Sequence, residues 1–161
     1  MNAKRAHHQS PATQLQLGRT VTDAGLVHLQ GLTNLQKLNL QNTQITDTGL
    51  VHLKGLTNLQ HLSLDATKVT DAGLAHLKDL TNLQTLNLRF TQVTDAGLVH
   101  LKGLTNLELL HLDRTKITDA GLVHLKGLNL KRLDIPKECQ TDLGLKHYLG
   151  AIEPPTELLL K

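Results

Sequence analysis

An α/β fold, arranged as a solenoid around a parallel sheet, is the fold class that the 161-residue sequence predicts. The main observation is a tract of 14 residues, 46–59, that returns almost unchanged every 24 residues. Its copies begin at Thr22, Thr46, Thr70, Thr94, Thr118 and Thr141, of which the first and the last are degenerate. A fixed period of this length indicates units that bury their apolar faces against their neighbours. The second observation is that each unit divides into an alternating half and a helical half.

The alternating half of each unit predicts a β-strand. In the tract 35–40, for example, Leu38 and Leu40 lie two residues apart and therefore share one face. Strands that recur in one direction after a helical crossover are parallel. We predict seven short strands, centred on Gln16, Asn39, Ser63, Asn87, His111, Asp134 and Leu159. The spacing slips by one residue within 17–22 and within 127–130, near the ends of the array.

The second half of each unit predicts a helix. It opens with a Thr-Asp pair such as Thr46 and Asp47, residue types that suit a helix N-terminus. Leucines such as Leu50 and Leu53 then recur along one helical face. Six helices are predicted between the strands, each beginning near such a pair.

The charges of the chain are unevenly distributed. Lys4, Arg5 and Arg19 have no acidic neighbour in the first 19 residues, whereas the remaining 14 basic residues face 14 acidic ones. We therefore expect a flexible basic arm over 1–14 and a neutral solenoid of about six repeats over 15–161. With one Phe, one Tyr and no Trp, the solenoid lacks the basic face and the aromatic platforms that are typical of nucleic-acid binders. We expect no nucleic-acid partner.

Cysteine usage and hydropathy indicate the cellular setting. Cys139 is the single cysteine, which excludes an intramolecular disulfide, and its place in the degenerate last unit suggests a spare thiol. The N-terminus lacks the apolar run of a secretory signal, and no stretch has the roughly 18 apolar residues of a transmembrane helix. We therefore expect a cytoplasmic protein without membrane partners. Since no phosphate loop or metal-ligand spacing is present, no cofactor is expected.

The repeat pattern Leu-x-x-Leu-x-Leu-x-x-Thr-x-Ile/Val-Thr-Asp-x-Gly-Leu over 15–160 resembles the leucine-rich repeat family. More narrowly, it is similar to bacterial repeats related to the cysteine-containing class of F-box ubiquitin-ligase subunits, although no F-box-like segment is present. The resemblance implies a right-handed, curved solenoid whose concave parallel sheet binds a protein and whose helices are convex. Thr replaces the family's Asn or Cys at Thr43, Thr67, Thr91 and Thr115. We expect these hydroxyls to bond the backbone of the neighbouring repeat.

Two columns of polar residues recur along the helices. The carboxylates are Asp23, Asp47, Asp71, Asp95, Asp119 and Asp142, and we interpret them as favouring the helix dipole and not as calcium ligands. The imidazoles are His28, His52, His76, His100, His124 and His147. Because these His lie roughly 130° from the leucine stripe, we expect them to face largely outwards.

Metal binding by the His column has little support. Neighbouring helices lie about 8–10 Å apart, so two His would have to lean together to share one zinc ion. A Lys follows two residues after most of them and would repel a cation. The weak metal candidates are His52, His76, His100 and His124.

The repeats differ most in the strand side chains that point to solvent and in the two residues that follow each alternating tract, such as 41 and 42 after 35–40. We call the surface that these residues form the strand face. Parallel strands lie about 4.8 Å apart, so Asp65, Arg89 and Asp113 are expected to form an alternating charge row. Phe90, flanked by Arg89 and Arg114, has the composition of an interface anchor. The predicted partner-binding residues are His61, Asp65, Asn87, Arg89, Phe90, His111, Asp113 and Arg114.

We therefore interpret the chain as a non-catalytic protein–protein interaction module that binds its partner on the concave strand face. One alternative is an assembly unit that stacks or dimerises through uncapped solenoid ends, because the last strand, 157–160, has an uncovered edge. A second alternative is a metal-binding His surface. Catalysis has little support: His111 beside Asp113 or Asp134 suggests an acid–base pair, but an open sheet does not exclude water.

Overall fold

Six parallel strands form one sheet in the computed structural model, which describes residues 13–149. The spatial order of the strands follows the chain, so every connection joins neighbours. The strands are β1 (Gln14–Gln16), β2 (Lys37–Asn39), β3 (His61–Ser63), β4 (Thr85–Asn87), β5 (Leu109–His111) and β6 (Arg132–Asp134). Each strand opens one repeat, and the repeats are numbered 1 to 6 accordingly. The predicted parallel α/β solenoid is confirmed.

The register of the sheet confirms the two predicted one-residue slips. Within the array Lys37 pairs with His61, a spacing of 24 residues. Gln14 pairs with Lys37 and Leu109 with Arg132, which are spacings of 23. The strands are centred one residue earlier than predicted, because the chain begins to turn where the alternation still continues.

Two predicted segments fall wholly or mostly outside the described residues. The seventh strand, centred on Leu159, lies beyond residue 149. Of the predicted arm, 1–14, the structure describes residues 13 and 14, and Gln14 belongs to β1.

The helical half of each repeat is shorter than a full helix. Single α-turns form α1 (Asp23–Leu26), α2 (Asp47–Leu50), α3 (Asp71–Leu74) and α4 (Asp95–Leu98). Three of these continue as 3-10 turns, Val27–Leu29, Val51–Leu53 and Val99–Leu101. Repeat 5 has the 3-10 segment Gly121–Leu125, and repeat 6 has a 3-10 turn at Lys137–Cys139 and the longer α5 (Asp142–Leu149). The six predicted helical segments are therefore present, five of them as one or two turns.

Threonines cap α2 to α4, and the aspartates join the repeats. The Thr70 hydroxyl accepts a weak hydrogen bond from the Ala72 amide at 3.4 Å. Asp71 is the first helical residue, as the dipole interpretation requires, but its carboxylate also reaches the next repeat. There Asp71 accepts hydrogen bonds from the amide and the hydroxyl of Thr94, at 2.7 and 2.6 Å. Equivalent pairs join Asp23 to Thr46, Asp47 to Thr70 and Asp95 to Thr118.

In the first repeat, this Asp–Thr ladder changes the pKa of its carboxylate. Burial by itself raises the pKa of Asp23, but hydrogen bonds from Thr46 and Thr48 to the ionised carboxylate outweigh burial, so the pKa is lowered. The ladder changes at the other end, where Asp119 bonds the Thr141 hydroxyl through one oxygen. The other oxygen of Asp119 is buried without a hydrogen-bond partner in the described chain.

Leucine fills the core, which runs the length of the array between the sheet and the helices. The middle residue of each of the strands β2 to β6 is buried, as are the helical leucines such as Leu50 and Leu53. Thr43, Thr67 and Thr91 are buried among them. The predicted hydrogen bonds of these threonines to a neighbouring repeat are wrong. The hydroxyl of Thr91 donates within its own repeat, to the Leu88 carbonyl three residues earlier, at 2.6 Å, because the chain turns back on itself there.

None of the helices between residues 13 and 149 has the length and apolarity needed to cross a membrane.

Candidate functional site

The predicted partner-binding residues lie together on the strand face. His61 opens β3, Asn87 closes β4 and His111 closes β5, so these side chains project from the side of the sheet opposite the core. The turn that follows the strands supplies the remaining positions. The predicted residues in this turn are Asp65, Arg89, Phe90, Asp113 and Arg114.

The turn holds Phe90 in the left-handed backbone region. Asn42, Ala66, Phe90 and Arg114 occupy the same place in four successive repeats, with φ between 53 and 59°. A positive φ at the third residue of a turn favours Gly or Asn, so Asn42 fits and the other three residues are strained. Phe90 stays in place because its amide donates to the Asp113 carbonyl at 3.2 Å. The sequence interpretation missed this strain, although Asn42 at the equivalent position carries its signal.

Phe90 is exposed and sits beside a fixed cation. Its relative exposure is 53 %, the largest of any apolar residue in the strand-face turn. The Arg89 guanidinium lies 5.9 Å from the centroid of the ring, within the range of a cation–π interaction. Nε of Arg89 also lies 3.4 Å from a carboxylate oxygen of Asp113. The ring is therefore flanked by an ion pair that restrains its neighbour.

The predicted alternating charge row forms in part. Arg89 pairs with Asp113, as expected, but no ion pair joins Arg89 to Asp65 in the described residues. One carboxylate oxygen of Asp65 is instead buried and has no hydrogen-bond partner within residues 13–149. Asp65 is thus an acceptor on the strand face that the described chain does not use.

His111 forms a tight hydrogen bond with Asp134 across β5 and β6. The two side chains approach to 2.5 Å, with Nδ1–H of His111 donating to the carboxylate. Arg132 donates to both oxygens of the same carboxylate, at 2.9 and 3.3 Å. Burial alone raises the pKa of Asp134, but the hydrogen bonds from Arg132 and His111 outweigh it and lower the pKa. Asp134 therefore stays ionised and orients both basic groups.

His61 and Asn87 line a shallow depression of ≈ 230 Å³ over the middle of the sheet. Burial lowers the pKa of His61, and the positive charge of Lys37 on the neighbouring strand lowers it further. The Asn87 side chain stabilises the turn, because its oxygen accepts a hydrogen bond from the Arg89 amide at 3.1 Å. His61 is therefore a neutral donor or acceptor at neutral pH, and Asn87 helps to fix the turn that carries Arg89 and Phe90.

A second concavity, of ≈ 430 Å³, opens between repeats 5 and 6, and sequence reasoning missed it. In repeats 2 to 4 the residue with positive φ donates its amide to the next repeat, as Ala66 does to the Arg89 carbonyl at 2.9 Å. Within residues 13–149 this ladder ends at Arg114. The Pro136 carbonyl, which would be its acceptor, binds the Cys139 amide at 3.0 Å. The two repeats therefore separate at this edge, and the cavity lies between them.

Cys139 is a core residue, so the prediction of a spare thiol is wrong. Its side chain is fully buried and donates to the Ile117 carbonyl at 3.3 Å. In the preceding repeats the corresponding carbonyl accepts a backbone amide, for example Val93 from Lys116 at 2.9 Å. In repeat 6 the Cys139 amide, which corresponds to the Lys116 amide, bonds the Pro136 carbonyl, and the thiol takes the place of that amide. Burial raises the pKa of the Cys139 thiol to about 11.

The His column is partly exposed along the helix side. His28 is exposed, whereas the weak metal candidates His52, His76, His100 and His124 are half-buried. Gln30 donates to Nδ1 of His52 at 2.8 Å, and Nδ1 of His147 donates to the Asp119 carbonyl at 2.8 Å. In the part of the chain that the structure describes, no three His, Cys, Asp or Glu residues are grouped closely enough to hold a metal ion.

Solved structures with related folds include two internalins. The internalin C2 of Listeria monocytogenes superposes with a TM-score of 0.53 at 31 % identity, over 78 % of this chain and 62 % of that one. The internalin InlF of the same organism gives a TM-score of 0.48 at 25 % identity, over 72 % of this chain and 38 % of that one. The chain thus spans less than two thirds of the length of either internalin. No curated protein matches it.

The sequence also matches a family description directly. The pattern described as Leucine Rich repeats (2 copies) matches residues 21–80 and 81–126, well over half of the chain. Proteins built from these repeats are typically protein–protein interaction modules and are generally non-catalytic. Membership of the narrower cysteine-containing class stays a prediction. The chain belongs to the leucine-rich repeat family.

Proposed function

We propose that this chain is a non-catalytic module that binds a protein partner through the strand face, with Phe90 as the apolar anchor. The anchor lies between the Arg89–Asp113 ion pair and Arg114. His61 and His111 provide polar contacts further along the sheet. Basic and acidic groups alternate on this surface, a pattern that suits a protein partner better than a polyanion.

The observation that carries the proposal is the combination of exposure and strain at Phe90. A ring that is 53 % exposed contributes little to the core, and its backbone sits at φ 54°. A positive φ costs a non-Gly residue about 1–2 kcal/mol. Asn42 and Ala66 occupy the same place in neighbouring repeats, so the fold does not require an aromatic residue there. Exposed, strained residues of this kind concentrate at functional sites.

Rigidity of the frame supports binding through this surface. The Asp–Thr ladder and the backbone bonds between repeats fix the spacing of the strand-face residues. A surface that is ordered before binding loses little conformational entropy when the partner arrives. Arg89 is held in the same way, because Asp113 and the ring of Phe90 both restrain it.

The experiment is affinity capture from a lysate of the source organism, read by mass spectrometry. The strand-face variant carries Arg89→Glu with Phe90→Asn, and the helix-side variant carries His76→Ala with His100→Ala. Ala66→Asn is the matched control, because it places the same residue at the same turn position one repeat earlier. We expect a specific partner with the unaltered chain, the helix-side variant and Ala66→Asn, and its loss with the strand-face variant.

Two results would contradict the proposal. Equal loss of the partner from the strand-face and helix-side variants would mean that neither surface is specific. Capture of the partner by every variant would place the binding surface elsewhere, and the helix side or the solenoid ends would then be examined by the same scheme.

A further inference from the structure

The cavity between repeats 5 and 6 carries hydrogen-bond donors that the described chain leaves unused. We propose that it receives the side-chain carboxylate of an Asp or Glu from the protein partner, next to the contact that Phe90 makes. This inference rests on the proposed function and adds the chemistry of the partner to it.

The backbone supplies the first donor. Arg114 is the position at which the ladder between repeats ends, so its amide has no hydrogen-bond partner among residues 13–149. The equivalent amides of Asn42, Ala66 and Phe90 each donate to the next repeat, at 2.9–3.2 Å. Arg114 lines the cavity. An acceptor that entered the cavity would therefore meet an amide that is already oriented by the turn.

The charges of the cavity leave one positive charge in excess. Among residues 13–149, its four cations are Arg89, Arg114, Arg132 and Lys137, and its three carboxylates are Asp113, Asp134 and Glu138. Ion pairs commit Arg89 to Asp113 and Arg132 to Asp134. Arg114 and Lys137 make no ion pair within the described residues, and the single carboxylate of Glu138 can compensate only one of these two charges. The carboxylate of one Asp or Glu would neutralise the remaining positive charge. A polyanion would be repelled by the three acidic residues of the cavity.

Tyr148 supplies a further donor. It stands where the preceding repeat has Leu125, each following a His, and it is 5 % exposed. The ring replaces a core leucine, while the hydroxyl is the polar end that a leucine lacks. That hydroxyl has no hydrogen-bond partner in residues 13–149, and Tyr148 lines the cavity. The hydroxyl of a Tyr whose ring is buried usually finds a hydrogen-bond partner, so this unpaired hydroxyl can donate to an acceptor in the cavity.

Arg89 joins the cavity to the anchor. It lines the cavity on one side and lies 5.9 Å from the centroid of the Phe90 ring on the other. A partner segment can therefore place an apolar side chain on Phe90 and an acidic side chain in the cavity at the same time. The structure assigns the two contacts to neighbouring positions of one surface, so the partner is expected to present an acidic residue close to an apolar one.

The direct test is an NMR titration of the full-length protein with N-acetyl-L-glutamate N-methylamide, which has one side-chain carboxylate and no charged ends. We expect chemical-shift changes at the amides of Arg114, Lys137 and Tyr148, with a dissociation constant of about 1 mM for so small a probe. The glutamine analogue, which differs only in having an amide, is expected to leave these resonances unchanged. N-acetyl-L-alanine and inorganic phosphate test a chain terminus and a phosphate as sources of the anion.

Matched variants connect the shifts to the cavity. Arg114→Gln with Lys137→Gln is expected to weaken binding of the probe about tenfold, and Tyr148→Phe to weaken it about threefold while keeping the ring in the core. Lys54→Gln with Lys102→Gln removes the same charge from the helix side and is expected to change nothing. Equal weakening by both double variants would show general charge attraction and overturn the proposal.

The remaining outcomes also decide the matter. Absence of shifts at Arg114 and Tyr148 would overturn the carboxylate site, and tighter binding of phosphate or N-acetyl-L-alanine would replace it with a different anion site. The captured partner separates this inference from the proposed function. Loss of the partner with Phe90→Asn but not with Arg114→Gln and Lys137→Gln would leave the strand-face function intact and contradict the carboxylate contact.

Discussion

The Arg89 guanidinium lies 5.9 Å from the centroid of the Phe90 ring, and the same arginine pairs with Asp113 at 3.4 Å. These contacts hold a cation and an aromatic ring side by side on a sheet whose spacing is fixed by hydrogen bonds between repeats. The backbone of Phe90 is in the left-handed region, and Asn would adopt this conformation with less strain. The proposed binding function accounts for an exposed aromatic ring at this position.

Replacing Phe90 by Asn is expected to stabilise the protein. The change relieves an aromatic residue at φ 54° and loses a half-exposed ring, so the net gain in the free energy of unfolding is about 1 kcal/mol. Urea denaturation followed by circular dichroism measures it. Ala66→Asn is the control at the equivalent turn and should give a gain of similar sign without affecting partner binding. A Phe90→Asn protein that is less stable than the unaltered chain would show that the ring serves the fold.

The Asp–Thr ladder is expected to carry a large share of the stability between repeats. Asp71→Ala removes two hydrogen bonds and leaves the Thr94 amide and hydroxyl without partners, at a cost of about 3 kcal/mol. Thermal and urea unfolding check this value. Asp79→Ala, at an exposed aspartate outside the ladder, is the control and should cost little.

Gly97 tests the same ladder from the opposite side. A Cβ at this position would lie 2.4 Å from the Asp71 carboxylate, so Gly97→Ala is expected to destabilise the protein by about 2 kcal/mol. In the Asp71→Ala background that clash is absent, and the added cost of Gly97→Ala should be clearly smaller. A double-mutant cycle by urea unfolding measures the coupling. Additive effects would mean that the glycine is required for another reason.

Titration of His61 is expected to occur below its ordinary pKa of 6.5, because burial and then Lys37 disfavour the charged imidazole. As the pH falls below about 6.5, the unfolded chain therefore binds the proton before the folded chain does, and the free energy of unfolding decreases. Well above that pH, His61 is neutral in both states and its titration does not change the free energy of unfolding. NMR titration of the ring protons gives the pKa directly. Lys37→Gln should raise it part of the way, since burial remains. An unchanged value in that variant would assign the shift to burial alone.

The Cys139 thiol is expected to be unreactive in the folded protein. Its burial and its raised pKa of about 11 keep the thiolate scarce and inaccessible at pH 8. Reaction with a chromogenic disulfide reagent should be slow in buffer and fast in concentrated urea. Rapid reaction without denaturant would place the thiol at the surface and restore the earlier prediction of a spare cysteine.

The repeating part of the fold could be predicted because its causes repeat in the sequence. Leucines at fixed offsets and a Thr-Asp pair in every unit determine the strands, the helix starts and the parallel sheet. The hydrogen bonds of Asp71 to Thr94 could not be predicted in the same way, because they depend on how one repeat stacks on the next. The hydroxyl of Thr91 bonds its own repeat for a similar reason, since the local turn is closer than the neighbour.

The candidate site was predictable in composition and less so in geometry. Exposure of Phe90 was predicted from its place just beyond the strand tract, where the repeats differ, and Asn42 at the equivalent position was the signal for a positive φ. The cavity had weaker signals: Pro136 in the turn, a repeat shortened by one residue, and Tyr148 in place of a leucine. None of these shows that the backbone ladder stops at Arg114, because that depends on where the Pro136 carbonyl finds its donor.

Site-specific photo-crosslinking shows whether Phe90 contacts the partner, as we propose. p-Benzoylphenylalanine is placed at Phe90 in one variant and, as the control, at Val51, which is 42 % exposed on the helix side. Both proteins are irradiated in lysate, and the adducts are identified by mass spectrometry. We expect one dominant adduct from position 90 and no adduct with the same partner from position 51. The same partner crosslinked at position 51 but not at position 90 would contradict the proposal.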